Sequence, residues 1–212
     1  MRTFTYVLDT NLFFNLEADS GLGKNANEIM QAIYEYARTL GPHGVHFYMP
    51  PAILDEIVTF VPESDEVLKK LISVVQIKSP DTSNSSFSAQ VFYTLVEEIR
   101  HRSYRGLNIA EEELHAAVRD MTGKQLGHIE YQKEIGQHIN KLRERYRNAT
   151  RVKFLDSVAD LDVIVLAKEL DGSVVTSDEG IMIWARLFGV KETKPQFLKE
   201  QLETLLHQAS TS

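Results

Sequence analysis

Aspartates follow two short apolar segments that lie near opposite ends of this 212-residue chain. Asp9 follows the apolar residues 5–8, and Asp178 follows residues 173–177 in a similar arrangement. Because ligands of parallel α/β sheets bind outside the carboxyl ends of the strands, we expect these two carboxylates to lie close together. Carboxylate oxygens are ligands that Mg²⁺ and Mn²⁺ prefer. A cation held there would activate water and neutralise charge on a phosphate, so the pattern predicts metal-dependent phosphoryl chemistry.

A third group of aspartates precedes or begins an apolar helix that the sequence predicts over residues 156–170. Asp156 and Asp160 are four residues apart and therefore share one face of that helix. Two like charges on one face need a cation or solvent, which favours Asp160 as a direct metal ligand with Asp156 beside it. Asp162 points elsewhere at helical spacing, and we interpret it as a cap or as a support for the other acids.

Each of these acids has an ordinary structural alternative. Asp9 and Asp178 could be turn or N-cap residues. Glu56, on a helix predicted over residues 52–60, could be a solvated surface residue. The joint occurrence of the acids at strand ends and at one helix start favours a shared site, with Glu56 as an accessory carboxylate. Four polar neighbours could orient the acids by hydrogen bonding: Thr10, Asn11, Thr176 and Ser177.

A basic run precedes the third group of aspartates. Residues 139–153 contain six Lys or Arg residues and the single acid Glu144. Such a run could be only a solvated helix face. Arg143, Arg147 and Arg151 are four residues apart, however, so one face of a helix would present three guanidinium groups that suit phosphate contacts. We predict that these three arginines bind RNA.

The composition is that of a cytoplasmic globular protein, with 43% hydrophobic residues, 25% charged residues and no cysteine. No apolar run is long enough for a membrane helix, and no signal segment precedes the first strand, so we expect neither membrane insertion nor export. The sequence lacks a phosphate-binding glycine loop, a zinc-ligand pattern and a serine or histidine nucleophile signature. The net charge of −7 makes a single subunit a poor RNA ligand unless its cations are clustered.

Short apolar strands alternate with helices, which predicts an α/β fold with a central parallel sheet. Strands are expected at residues 4–8, 45–49 and 74–78, and the last core strand is expected at residues 174–176. Residues 88–149 interrupt this order as a helical insertion, and the nuclease-like domain comprises residues 1–87 and 150–212. Within the insertion we predict two or three helices, at about residues 88–105, 109–123 and 126–149. Gly106 would separate the first two, and Asn108 with Glu111 would form a capping box.

The segments around Asp9, Glu56, Asp160 and Asp178 resemble the PIN-domain nucleases, which are α/β/α sandwiches with a four-carboxylate Mg²⁺ or Mn²⁺ site. Residues 154–171 and 174–181 are closer still to the minimal protein-only ribonuclease P family, HARP, formerly labelled RNA ligase partner proteins. That resemblance covers nearly the whole chain, including the helical insertion. It implies that Asp9, Asp156, Asp160 and Asp178 hold the catalytic metal.

The resemblance also implies a substrate and an assembly. Members of the family remove the 5′ leader of precursor tRNA by metal-assisted hydrolysis, which leaves 5′-phosphate and 3′-hydroxyl ends. They form large homo-oligomers, here expected to be built from dimers, through the helical insertion. The apolar stripes of that segment favour the same conclusion, because a protruding helical pair cannot bury both faces against one small domain. Two alternatives stay open: a toxin-type PIN ribonuclease, since Thr10 and Asn11 after Asp9 are common there, and a non-catalytic RNA-binding scaffold.

Overall fold

Five parallel strands form the central sheet of the computed structural model, which describes residues 3–151, 153–155 and 157–210. The order of the strands across the sheet is β3-β2-β1-β4-β5. Helices connect successive strands, so the predicted α/β fold with a parallel sheet is confirmed. The strands are β1 (Phe4–Leu8), β2 (Val45–Met49), β3 (Gln76–Ile77), β4 (Ser173–Val175) and β5 (Lys191–Thr193).

The strand order changes direction next to β1. The chain runs outward from β1 through β2 to β3, then returns to the other side of β1 and continues through β4 to β5. Contacts between helices divide them into two layers, one on each face of the sheet, and each half of the chain contributes to both layers. One face has α1 (Asn11–Phe14), α2 (Ala26–Leu40), α4 (Glu66–Ile72) and α9 (Pro195–Ser210), and the other has α3 (Pro51–Phe60), α7 (Val158–Glu169) and α8 (Glu179–Leu187).

Local sequence signals explain where the helices near the candidate site begin. Asn25 caps α2 by accepting a hydrogen bond from the Glu28 backbone N–H, at 2.9 Å. Ser157 caps α7 and Asp178 caps α8 in the same way. The middle of α7 is apolar on every side because it is packed against the sheet and neighbouring helices, and residues 163–167 are all buried.

One strand at an edge of the sheet was not predicted from the sequence. Residues 174–176 were expected to form the last core strand, and β5 pairs with β4 beyond them. This strand has only three residues, and two of them are charged, which is typical of an exposed sheet edge. Its hydrophobic periodicity is therefore too short to be recognised in the sequence.

The described residues divide into two compact units, which we call the sheet unit (Met1–Phe87 with Leu155–Ser212) and the hairpin unit (Ser88–Phe154). The hairpin unit consists of two antiparallel helices, α5 (Ala89–Met121) and α6 (His128–Arg151). No helix among the described residues is both long enough and apolar enough to cross a membrane.

The predicted helix break at Gly106 was wrong, because α5 continues through it for 33 residues. Gly106 is buried, and a β-carbon at this position would lie 2.5 Å from Cε2 of Tyr146 on α6. The glycine therefore provides space for an aromatic ring instead of ending a helix. Asn108 and Glu111 lie within α5 and form no capping box.

Ion pairs fix the register of the hairpin. Glu113 is only 3% exposed, and its Oε1 accepts a hydrogen bond from Nη1 of Arg145 at 2.6 Å. Lys141 Nζ lies 3.2 Å from the same oxygen. The Arg145 hydrogen bond is the main reason that the pKa of Glu113 is lowered. At the end of α6, Arg102 and Arg105 donate hydrogen bonds to backbone carbonyls, which stabilises the helix C-terminus.

Candidate active site

Asp9 lies directly after β1, at the carboxyl end of the sheet, and is only 2% exposed. Its Oδ2 accepts hydrogen bonds from Thr176 Oγ1 at 2.6 Å and from Asn11 Nδ2 at 3.1 Å. Burial raises the pKa of Asp9 to about 6; the two hydrogen bonds lower it, and the nearby charge of Asp160 raises it. A buried carboxylate with a like charge beside it is a group that a cation would stabilise.

Thr176 connects the first carboxylate to the second. It follows β4, is fully buried, and accepts a hydrogen bond from the Asp178 backbone N–H at 2.9 Å while it donates to Asp9. Asp178 is the N-cap of α8, and its Oδ1 accepts from the Ile181 backbone N–H at 2.9 Å. The N-cap alternative for Asp178 is therefore realised in the structure. Capping uses Oδ1, and the side chain also lines the cavity described below.

One cavity brings together four of the six carboxylates that the sequence singled out. It has a volume of about 470 Å³ and lies at the carboxyl ends of β1 and β4, where the strand order changes direction. This is the position at which open α/β sheets bind ligands. Asp9, Glu56, Asp160 and Asp178 all line it. Asp162 is not among its lining residues.

Glu56 and Asp160 reach the cavity from two helices. Glu56 is on α3, and its Oε2 accepts a hydrogen bond from the Thr10 hydroxyl at 2.7 Å. Asp160 is in the first turn of α7, where its backbone N–H donates to Ser157 Oγ at 3.0 Å. Thr10, Asn11 and Thr176 thus hold carboxylates, as the sequence predicted, whereas Ser177 accepts a hydrogen bond from Asn15 at 2.9 Å.

The donor chemistry of the cavity fits a hard divalent cation, since every ionisable group that lines it is a carboxylate. Among the described residues, no group of three or more Asp, Glu or His side chains is arranged to hold a metal ion. Asp156, the remaining predicted ligand, lies outside the described residues. The described carboxylates alone would therefore leave part of a cation's coordination to water, as is usual for Mg²⁺.

Several residues of the cavity carried no recognised functional signal in the sequence. Phe14 and Phe60 line it beside the acids, and each stands at the end of a short apolar helix segment like any packing residue. Ser157 also lines it, and the Ser-x-x-Asp spacing to Asp160 is a helix-start signature that could have indicated its position.

The basic run of α6 divides between two roles. Lys141 and Arg145 face Glu113 in the hairpin. Arg143, Arg147 and Arg151 are exposed, and within the described residues neither Arg143 nor Arg147 forms an ion pair. Arg143 and Arg147 also border a depression in the hairpin unit that contains Gly106 and Tyr146. The three predicted RNA-binding arginines therefore share one solvent-facing side of α6.

Comparison with known proteins shows the family to which this chain belongs. Residues 5–207 match the family model described as "PINc domain ribonuclease". The chain is 36% identical to the RNA-free ribonuclease P of Pyrococcus abyssi over 207 residues, which cover 98% of this chain and 95% of the relative. It is 35% identical to the protein of that name from Haloarcula marismortui (93% and 91% covered) and 34% identical to the one from Nitrosococcus oceani (94% of each).

Proposed function

Because the chain belongs to the PINc domain ribonucleases and is similar over nearly its whole length to RNA-free ribonucleases P, we propose that it removes the 5′ leader of precursor tRNA with a divalent cation, Mg²⁺ or Mn²⁺. The observation that supports this most is the convergence of Asp9, Glu56, Asp160 and Asp178 on one cavity at the change in strand order. The similarity covers almost the full length of relatives named RNA-free ribonuclease P, and this supports precursor tRNA as the substrate.

The proposed ligands are Asp9, Asp156, Asp160 and Asp178, with Glu56 as an accessory group. When bound, the cation would lower the pKa of water and neutralise charge on the scissile phosphate. Thr176 and Asn11 hold the Asp9 carboxylate in one orientation. Thr10 does the same for Glu56. Such hydrogen bonds restrict the acids to positions that a cation can use, and their loss commonly costs about 10- to 100-fold in affinity or activity.

The chain's hydrolytic products follow from this chemistry. Attack of water on the phosphate breaks the bond to the 3′-oxygen of the leader, so the leader ends in a 3′-hydroxyl and the tRNA begins with a 5′-phosphate. The burial of Asp9 excludes bulk water from one side of the acids. A low-dielectric surrounding strengthens the attraction between the carboxylates and a cation.

The hairpin unit supplies two further parts of the proposal. Arg143, Arg147 and Arg151 contact RNA phosphates, which the solvent-facing guanidinium groups of Arg143 and Arg147 support. The unit also assembles copies of the chain into a large homo-oligomer of dimers. Support comes from α5, which buries one apolar side against α6 and leaves a second apolar side exposed.

The test is cleavage of a 5′-end-labelled precursor tRNA by the purified protein, with Mg²⁺, Mn²⁺ or EDTA. We expect one cut at the mature 5′ end, dependent on the divalent cation, with a 5′-phosphate on the tRNA product. Cuts within the mature tRNA or in messenger RNA, with the leader left intact, would favour a toxin-type ribonuclease. Binding without any cleavage would favour a scaffold.

A further inference from the structure

Two aromatic rings form a ledge at the mouth of the carboxylate cavity. Phe14 ends α1 and Phe60 ends α3, and both line the cavity with Asp9 and Asp160. The ring centroids are 4.8 Å apart and the ring planes are inclined by 42°. Phe60 follows Glu56 by one helical turn, so the ring and the accessory carboxylate share one side of α3.

Phe60 is 64% exposed, although it is a large apolar side chain. Its contact with Phe14 supports the ring from one side and leaves much of its surface open to solvent. This exposed aromatic surface adds little to the hydrophobic core. This surface adjoins the proposed site for a phosphodiester. Because the surface is apolar, it suits a flat ligand group that is covalently attached to a phosphate. A nucleobase is such a partner, and base–aromatic stacking is worth on the order of 10- to 100-fold in binding.

We propose that Phe60, supported by Phe14, stacks on the nucleobase immediately 5′ of the scissile phosphate; this inference rests on the proposed function. In precursor tRNA that base is the first leader nucleotide. The nucleotide on the 3′ side of the cut begins the acceptor stem, where its base is already paired and stacked. The leader base is therefore the one that is available to the ledge.

The ledge acts as a positioning device. Stacking of the leader base fixes the ribose–phosphate that follows it, and the phosphate then lies at the acids instead of sampling the cavity mouth. Neither phenylalanine offers a hydrogen-bond donor or acceptor from its side chain, so the ledge accepts all four bases. The inference thus adds a substrate contact that is tolerant of leader sequence but requires a base.

The experiment compares three proteins on two substrates under single-turnover conditions. The proteins are the wild type, Phe60→Leu and Phe60→Trp, and the substrates are a precursor tRNA and the same RNA with an abasic site as its first leader nucleotide. Phe60→Leu keeps an apolar cover over Phe14 but removes the ring, and Phe60→Trp keeps an aromatic surface. Thermal unfolding checks that both variants retain the fold.

We expect the abasic site to lower wild-type kcat/KM about 10-fold and Phe60→Leu to lower it similarly on normal RNA. Together, the two changes should cost no more than either one alone, and Phe60→Trp should retain wild-type cleavage. Losses that multiply, or full-rate cleavage of the abasic substrate by the wild type, would overturn the stacking role.

The two proposals fail in different ways. If the wild type cleaves another RNA but leaves precursor tRNA intact, the proposed substrate is wrong. The same comparison, with the abasic site placed 5′ of the cut mapped in that RNA, then decides the role of Phe60. If the wild type cleaves no RNA, both proposals are overturned.

Discussion

At the scale of single residues, Asp178 has two roles: it caps α8 and it lines the carboxylate cavity. Asparagine caps helices about as well as aspartate, so Asp178→Asn separates the two roles. We expect this variant to fold normally and to lose cleavage by more than about 100-fold, beyond the usual loss for a residue that only supports a ligand. Asp160→Asn should behave alike, since it relieves repulsion with Asp9.

Single-turnover cleavage and thermal unfolding measure the two effects. Asp162→Asn is the matched control, because Asp162 is on the same helix as Asp160 but does not line the cavity. It should retain nearly all activity. Near-wild-type cleavage by both Asp160→Asn and Asp178→Asn would remove these residues from the active site.

The raised pKa of Asp9, at about 6, makes a prediction for the metal-free protein. A carboxyl whose pKa is higher in the folded state than its ordinary value of 3.8 binds more protons folded than unfolded between those two values. Its contribution to the free energy of unfolding therefore falls as pH rises from about 4 to about 6. Asp9→Asn removes this dependence, so the stability of the variant relative to wild type should rise over the same range.

Urea unfolding in EDTA at several pH values measures the difference. Added Mg²⁺ should stabilise the wild type more at pH 7.5 than at pH 5, because protons and the cation compete for Asp9. A gap between the variant and the wild type that stays constant from pH 4 to pH 7 would show that Asp9 titrates normally.

At the scale of elements, α6 separates two cations that hold the hairpin, Lys141 and Arg145, from arginines that face solvent. Replacing Arg143, Arg147 and Arg151 by alanine should weaken RNA binding and reduce the slope of log affinity against log salt. Each lost phosphate contact removes roughly 0.7–0.9 from that slope. Filter binding over a series of salt concentrations measures it.

A control with the same change of charge replaces three exposed lysines of the sheet unit by alanine: Lys24, Lys69 and Lys70. We expect its salt slope to stay close to that of the wild type. If the two triple variants lose equal slope, the effect comes from net charge and the arginines of α6 make no specific contact.

The elements also show how far the sequence alone determines the fold. β1 and β2 were predicted with correct bounds. β1 is an apolar segment, β2 alternates between buried and half-buried side chains, and each lies next to a clear turn. Gly106 misled the prediction, since its role depends on Tyr146, 40 positions away. Among cavity residues, Asp9 and Asp178 were recognised at strand ends and Asp160 at a helix start. Phe60 did not, because an exposed ring at a helix end has the same local sequence as a buried one.

At the scale of the whole molecule, α5 has more apolar surface than one partner helix can cover. Its inner side includes Ile109 and Ala117, which are buried. A second side is exposed and includes Phe92, Val96, Ile99, Leu107, Leu114 and Val118. Contiguous apolar patches of this kind mark protein interfaces, which supports the proposed assembly.

Leu114→Lys combined with Val118→Lys should therefore break the assembly into smaller species, down to the 24.1 kDa subunit. Light scattering measures the mass, and precursor-tRNA cleavage should fall with it because the avidity of several arginine rows is lost. Gln90→Lys with His101→Lys adds the same number of lysines on another side of α5 and should leave the mass unchanged. A wild-type protein that is a fully active monomer would contradict the assembly.

The position of β4 beside β1 also determines when the enzyme can first act during its own synthesis. Asp9 leaves the ribosome early and β1 can pair with β2, but its other edge waits for β4, which follows more than 160 residues later. Until then Asp9 lacks Thr176, Asp160 and Asp178, so a nascent chain has no complete set of acids. A ribonuclease arranged in this order stays inert at least until β4 and Asp178 have left the ribosome.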